Sequence, residues 1–226
     1  MIALRALGAL LTYPRRDLLE ALPEIRAAIA ASTLLGQREK ERVSELIDEL
    51  HDTDPFELEE RYVDLFDRGR STSLCLFEHV HGDSRERGQA MVDLKKVYAR
   101  AGYQLASNEL PDYLPAVLEY LSFRTSAEAK EMLADCAHIL RAIGERLVSR
   151  GSRYAAAVDA LLAVAGESGL DWSTAPAPPE PIPHVDEEWM DAPAFGAGSQ
   201  KNQGAEAGVT PIHFMPRTGR RTGAPQ

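Results

Sequence analysis

Val43, Leu46, Ile47 and Leu50 recur at i, i+3, i+4 and i+7, a spacing that puts all four on one face of a helix. The same period runs through most of the chain. Asp54-Pro55-Phe56-Glu57 supplies an N-cap carboxylate, a proline at the first helical position and a glutamate at the third. The helix it starts presents Leu58, Tyr62, Leu65 and Phe66 on one side. Met91, Leu94, Tyr98 and Ala101 mark another helix, ended by Gly102. Pro111 opens a further one with Leu114, Val117, Leu118 and Leu121 facing inward. Thr125-Ser126-Ala127-Glu128 has capping-box spacing and predicts one long helix through Met132, Cys136, Ile139, Leu140, Ile143 and Leu147. Ser152 caps a last helix with Tyr154, Val158, Leu161 and Leu162 inward, and two apolar-faced helices at about 2–11 and 15–32 precede the rest. The closest approach to a strand is Leu74-Cys75-Leu76-Phe77, too short and isolated to build a sheet. The expected fold is all-α, a single bundle of about seven or eight helices over residues 1–172.

The pattern stops near Trp172. Residues 173–226 hold nine of the fourteen prolines and six of the sixteen glycines, with no sustained period, and read as a mostly disordered tail. Within it, Asp186-Glu187-Glu188-Trp189-Met190-Asp191 followed by Phe195 is a candidate docking segment. No stretch is long and apolar enough to insert in a membrane, and the first residues lack the layout of a secretory signal, so the expected location is the cytoplasm. The two cysteines, Cys75 and Cys136, read as free thiols rather than a disulfide framework. With 35 acidic against 25 basic residues, the net charge of −10 argues against a nucleic-acid partner and is compatible with a basic one.

One segment is not explained by folding. Between Asp67 and Asp83 the pattern leaves a connection of 17 residues, where links in helical bundles usually take about 2–8. It holds Cys75, Phe77, Glu78, His79 and His81 between arginines. Cys75, His79 and His81 are a candidate metal set, although Cys-x3-His-x-His matches no standard zinc spacing. Cys75 with His79 is a candidate nucleophile and base, with no phosphate loop, nucleophile elbow or zinc-protease motif beside it. The remaining readings are a loop lining a binding groove and a structural crossover whose histidines bond to helix ends.

The run Tyr62-Val63-Asp64-Leu65-Phe66-Asp67, then Ser71-Thr72-Ser73-Leu74, then Leu76-Phe77-Glu78-His79-Val80-His81-Gly82-Asp83-Ser84-Arg85, resembles the central signature of NarJ-type nitrate reductase chaperones. A second block, Glu109-Leu110-Pro111-Asp112-Tyr113-Leu114-Pro115, is similar to a loop-plus-helix of that family and to the Glu-Pro-x-Asp-His element of wider TorD-like relatives, with Tyr113 in place of the histidine. The resemblance covers about residues 4–150. It implies a cytoplasmic chaperone without catalytic chemistry and without a cofactor of its own. Its partner would be the nitrate reductase catalytic subunit, whose basic amphipathic N-terminal segment it would bind while that subunit stays competent for molybdenum cofactor insertion. Another molybdoenzyme of the S- or N-oxide reductase type is the alternative client. The residues expected to take the peptide are Tyr62, Phe66, Phe77, Glu78, His79, His81, Arg85, Asp112, Tyr113 and Glu119, the aromatics as walls and the carboxylates as partners for Arg or Lys. Protonation of His79 or His81 would then weaken capture of a cationic peptide.

Overall fold

The computed structural model describes residues 1–81, 84–105 and 109–173; the predicted tail and its docking segment lie outside these. The described residues form ten α-helices: α1 (Ile2–Leu10), α2 (Arg16–Ala30), α3 (Gln37–Asp52), α4 (Pro55–Tyr62), α5 (Leu76–His81), α6 (Arg85–Arg100), α7 (Leu114–Ser122), α8 (Ser126–Asp135), α9 (Ala137–Ser149) and α10 (Ala155–Ala165). A π-helical turn, Val63–Asp67, prolongs α4, and a 3-10 turn covers Arg70–Thr72.

Two helices form the centre. α10 carries a single charge, Asp159, and is buried on nearly every side, as expected of a helix that is apolar all round. It packs on α9, α8 and α3. α1 is likewise apolar and lies between α7 and α2. Gly8 sets the approach to α7: a Cβ there would sit 3.2 Å from Leu118 Cβ and 3.3 Å from the Pro115 carbonyl.

Two helix predictions need correction. The long helix from Thr125 breaks at Cys136, which leaves helical geometry at φ −103°. Its thiol donates at 3.4 Å to the carbonyls of Met132 and Leu133, covering acceptors in the last turn of α8. The helix expected to open at Pro111 begins at Leu114 instead. Residues 112–114 are engaged elsewhere: the Leu114 amide donates to the Leu74 carbonyl at 2.8 Å, and Cys75 pairs with Tyr113 in an isolated antiparallel bridge. The capping box at Thr125 and Glu128 forms as read, with both reciprocal bonds present. Backbone and side-chain bonds from Thr125, with the Arg124 guanidinium, hold the Glu128 carboxyl down at about 2.

The 17-residue connection is also not an irregular loop. Its described part is wound into the 3-10 turn and α5. The Thr72 hydroxyl donates to the Leu65 carbonyl of the π turn, folding the segment back on α4. No described helix is long and apolar enough to cross a membrane.

Candidate functional site

α1 and α2 are joined by a short turn and leave between them a trough of about 750 Å³. Four alanines, Ala6, Ala9, Ala21 and Ala28, make its floor with Leu18 and Ile25. Their methyl groups are too short to fill the space between two helix backbones. Ile2 lies at one end, 74% exposed. Tyr13 and Tyr113 stand at the other, next to the turn. The rim carries Arg5, Arg15, Asp17, Glu24 and Glu109.

At the tyrosine end Glu59, Asp67 and Glu109 outnumber the Arg15 guanidinium. The Tyr13 phenol is pushed up from its ordinary range by desolvation and then by the Glu59 carboxylate beside it. Burial pushes Tyr113 up, with Glu109 and Asp67 adding to the effect. A trough with an apolar floor and carboxylates at one end suits an amphipathic helix that carries basic residues.

The tyrosine end is braced from behind. Tyr13 meets Tyr62 edge-on at 5.5 Å between centroids, and Tyr62 packs on Phe66 at 4.8 Å and Tyr154 at 6.1 Å. The Tyr62 hydroxyl donates to the Leu11 carbonyl at 2.9 Å, at the end of α1. Since that proton is committed, the 3.2 Å contact with Tyr113 has the Tyr113 hydroxyl as donor. One phenol thus ties together α4, the α1–α2 turn and the segment before α7.

Asp112 ties that segment to α5. Its backbone carbonyl accepts from the Leu76 amide at 3.1 Å, and its Oδ2 accepts from the Phe77 amide at 3.0 Å. This is an N-cap contributed by a residue 35 positions away. Asp112 is fully buried, and its Oδ1 has no partner among the described residues. Burial pushes its carboxyl up, against the pull of the Phe77 amide and Arg87. Asp112→Ala is expected to cost about 1–2 kcal/mol through loss of the cap, read from urea denaturation. Asp112→Asn keeps an acceptor and is expected to be much milder. A carboxyl whose pKa is raised by folding contributes stability below its unfolded-state pKa and loses it as pH rises through the folded value. Wild-type stability relative to Asp112→Asn should therefore improve as pH falls from neutrality towards about 4, the ordinary aspartate value.

The sequence-predicted residues are distributed unevenly around this groove. Tyr113 lines it and Tyr62 lies directly behind. Phe66 and Phe77 are buried at 6% and 2% exposure and pack in the core rather than presenting a surface. Glu78 accepts from Arg87 at 2.9 Å. His79 bonds through Nε2 to the Ser73 carbonyl at 2.8 Å, which requires the proton on that nitrogen. His81 sits edge-on to Phe77, with Nδ1 3.8 Å from the exposed Glu86. Arg85 is exposed in the first turn of α6. Glu119 accepts from the Tyr103 hydroxyl at 3.0 Å. The His79 bond, to the carbonyl at the end of the 3-10 turn, is of the kind the crossover reading expects. Among the described residues no group of three or more His, Cys, Asp or Glu side chains is placed to hold a metal ion, so the metal reading of Cys75, His79 and His81 has no geometry to rest on. Burial pushes the Cys75 thiol up to about 11, with the nearby Asp112 and Glu78 carboxylates acting in the same direction, which disfavours the thiolate a nucleophile needs.

The groove floor is what sequence reasoning missed. Its signal was present as alanines on the facing sides of two adjacent helices, at 6 and 9 and at 21 and 28. Read one helix at a time they are weakly apolar positions; their meaning appears when the two faces are set together.

Fold and groove define an all-helical bundle with a helix-sized trough on its surface. The chain belongs to the nitrate reductase delta subunit family, whose model matches residues 18–160. It is 48% identical over 165 residues to the nitrate reductase molybdenum cofactor assembly chaperone NarJ of Escherichia coli (strain K12), covering 73% of this chain and 70% of that protein. It is 42% identical over 168 residues to the probable chaperone of the same description, NarW, from the same strain, covering 74% and 70% of the two chains. It is 31% identical over 170 residues to the probable NarJ of Bacillus subtilis (strain 168), covering 75% and 91%. These relatives are named as assembly chaperones, not as catalytic enzymes.

Proposed function

We propose that this protein is a molybdenum cofactor assembly chaperone for a nitrate reductase. It works in the cytoplasm by holding the N-terminal segment of the catalytic subunit in the α1–α2 groove while the cofactor, as cargo, enters the apoenzyme. The observation that carries the reading is the family match over residues 18–160, a span that includes α2 from Leu18 onward and both sequence blocks. The groove supports the finer step. Its alanine floor offers a surface to the apolar stripe of an amphipathic helix, and Glu59, Asp67 and Glu109 offer partners to its basic residues. The net charge of −10 would raise the encounter rate with such a segment more than the final affinity.

The expected result in cells is complementation. Expressed in a nitrate-respiring bacterium that lacks its own chaperone of this family, the protein should restore membrane-bound nitrate reductase activity with molybdenum in the catalytic subunit. Normal expression of the folded protein without any recovery of activity would reject the assignment for that enzyme. Recovery of an S- or N-oxide reductase instead would move the client to that class.

A further inference from the structure

The groove has an alanine floor and carries Asp17, Glu24 and Glu109 against Arg5 and Arg15, and the chain itself carries a segment of the complementary kind. Residues 207–226 contain three arginines and no acidic residue, although the whole chain stands at −10. Within them Ile212, Phe214 and Met215 precede Arg217, Arg220 and Arg221, with Pro216 between. Apolar anchors beside a cationic run are the chemistry the proposed client would present. We propose that the basic end of this chain, residues 209–221, occupies the α1–α2 groove of its own molecule when no client is bound, as an internal competitor. The inference rests on the groove being the client seat, and its test is arranged to separate the two.

The point of departure and the reach both allow this. Trp172 is pinned at the surface of the bundle: its indole donates to Asp159 at 3.1 Å, and the Arg42 guanidinium lies 4.3 Å over its ring. From Ser173 to Val209 run 35 intervening residues. A chain of that length reaches about 115 Å at full extension. A bundle of this size has a radius of gyration of roughly 16 Å, so the linker can pass from α10 to α1 and α2. Charge favours the destination, because Asp17, Glu24, Glu59, Asp67 and Glu109 outnumber Arg5 and Arg15 around the groove. Tethering then makes weak affinity sufficient. At an effective concentration on the order of 1 mM, a segment that binds at about 100 µM when free would fill the groove about ten parts to one. Client affinity would fall about tenfold by the same arithmetic.

The test compares the full chain with a full-length variant carrying Phe214→Ser, Arg217→Ser, Arg220→Ser and Arg221→Ser. Hydrogen exchange of each is measured with no client present, and a synthetic peptide of residues 207–226 is titrated into the variant. The inference expects amides at the groove face of α1 and α2 to exchange faster in the variant, the peptide to bind the variant and restore their protection, and the variant to bind a client peptide about tenfold more tightly. Equal exchange in the two proteins with no binding of the 207–226 peptide would overturn it. Self-association of the wild type that the variant abolishes would put the segment in a second copy's groove and overturn the internal form. Binding of the 207–226 peptide without binding of a client peptide would retain this inference and remove the client reading.

Discussion

Ala21→Lys is expected to weaken binding of a basic client peptide about 100-fold while leaving the helical content and unfolding midpoint close to wild type. Ala21 is half-buried on the groove floor and makes no hydrogen bond with its methyl group. A lysine there can extend its stem along the trough and keep its ammonium wet, so the fold tolerates it. The peptide does not. The new side chain occupies volume that the apolar stripe would fill, and its charge meets the peptide's own. It can also pair with Asp17, four residues before, or Glu24, three after, withdrawing carboxylates from the rim. Like charges set against each other in an interface cost several kcal/mol, and about 2.7 kcal/mol is a hundredfold. Calorimetric titration of wild type and variant checks the ratio. Ala21→Leu fills volume without charge and should lose less. Equal losses for Lys and Leu would show that shape alone governs the site.

Asp159→Ala is expected to be the most destabilising single change, at about 3–5 kcal/mol, because it strips the partner from a buried ion pair. Asp159 sits in the middle of α10 with 2% exposure. Its carboxylate accepts from Arg42 at 2.6 Å, from the Leu170 amide at 2.7 Å and from the Trp172 indole at 3.1 Å. Alanine leaves all three donors unmet, and it unpins the segment after α10 from the bundle. A urea titration followed by far-ultraviolet circular dichroism measures the loss. A double change, Arg42→Met with Asp159→Leu, replaces the pair with apolar groups and should recover a large part of it. No recovery would mean that the bonds to Leu170 and Trp172, not the uncompensated Arg42, dominate the cost.

Most of the fold was legible because it follows from local periodicity. α3 carries its four inward residues at the expected spacing, and the cap at Asp54 and the box at Thr125 mark helix starts where they occur. Three features were not legible, and two of them depend on a distant partner. α5 has a start fixed by Asp112, 35 residues later, so its own sequence reads as a loop. The delayed start of α7 has the same cause, since the backbone near Tyr113 is spent on the Leu74–Leu76 stretch. The break at Cys136 carries no glycine or proline to announce it. The count of helices rises from about seven or eight to ten largely through α5 and this break.

The site divides in the same way. Of the residues expected from the two motif blocks, the structure sets Tyr113 at the groove end and buries Tyr62 behind it. Phe66, Phe77 and Asp112 were chosen from the same blocks, yet they face inward and hold those blocks together. A motif whose residues brace one another and a motif whose residues touch a ligand look alike along a chain. What separates them is exposure, which is set by the packing of the whole bundle.

The most direct test is a calorimetric titration of the full chain with a synthetic peptide of the N-terminal segment of the nitrate reductase catalytic subunit proposed as its client, at low and at high salt. One-to-one binding at micromolar affinity or tighter is expected, weakened by salt and by Ala21→Lys, with the helical signal of the bundle unchanged. A folded protein that gives no heat with that peptide, or one that binds it equally well with Ala21→Lys, would contradict capture in the α1–α2 groove.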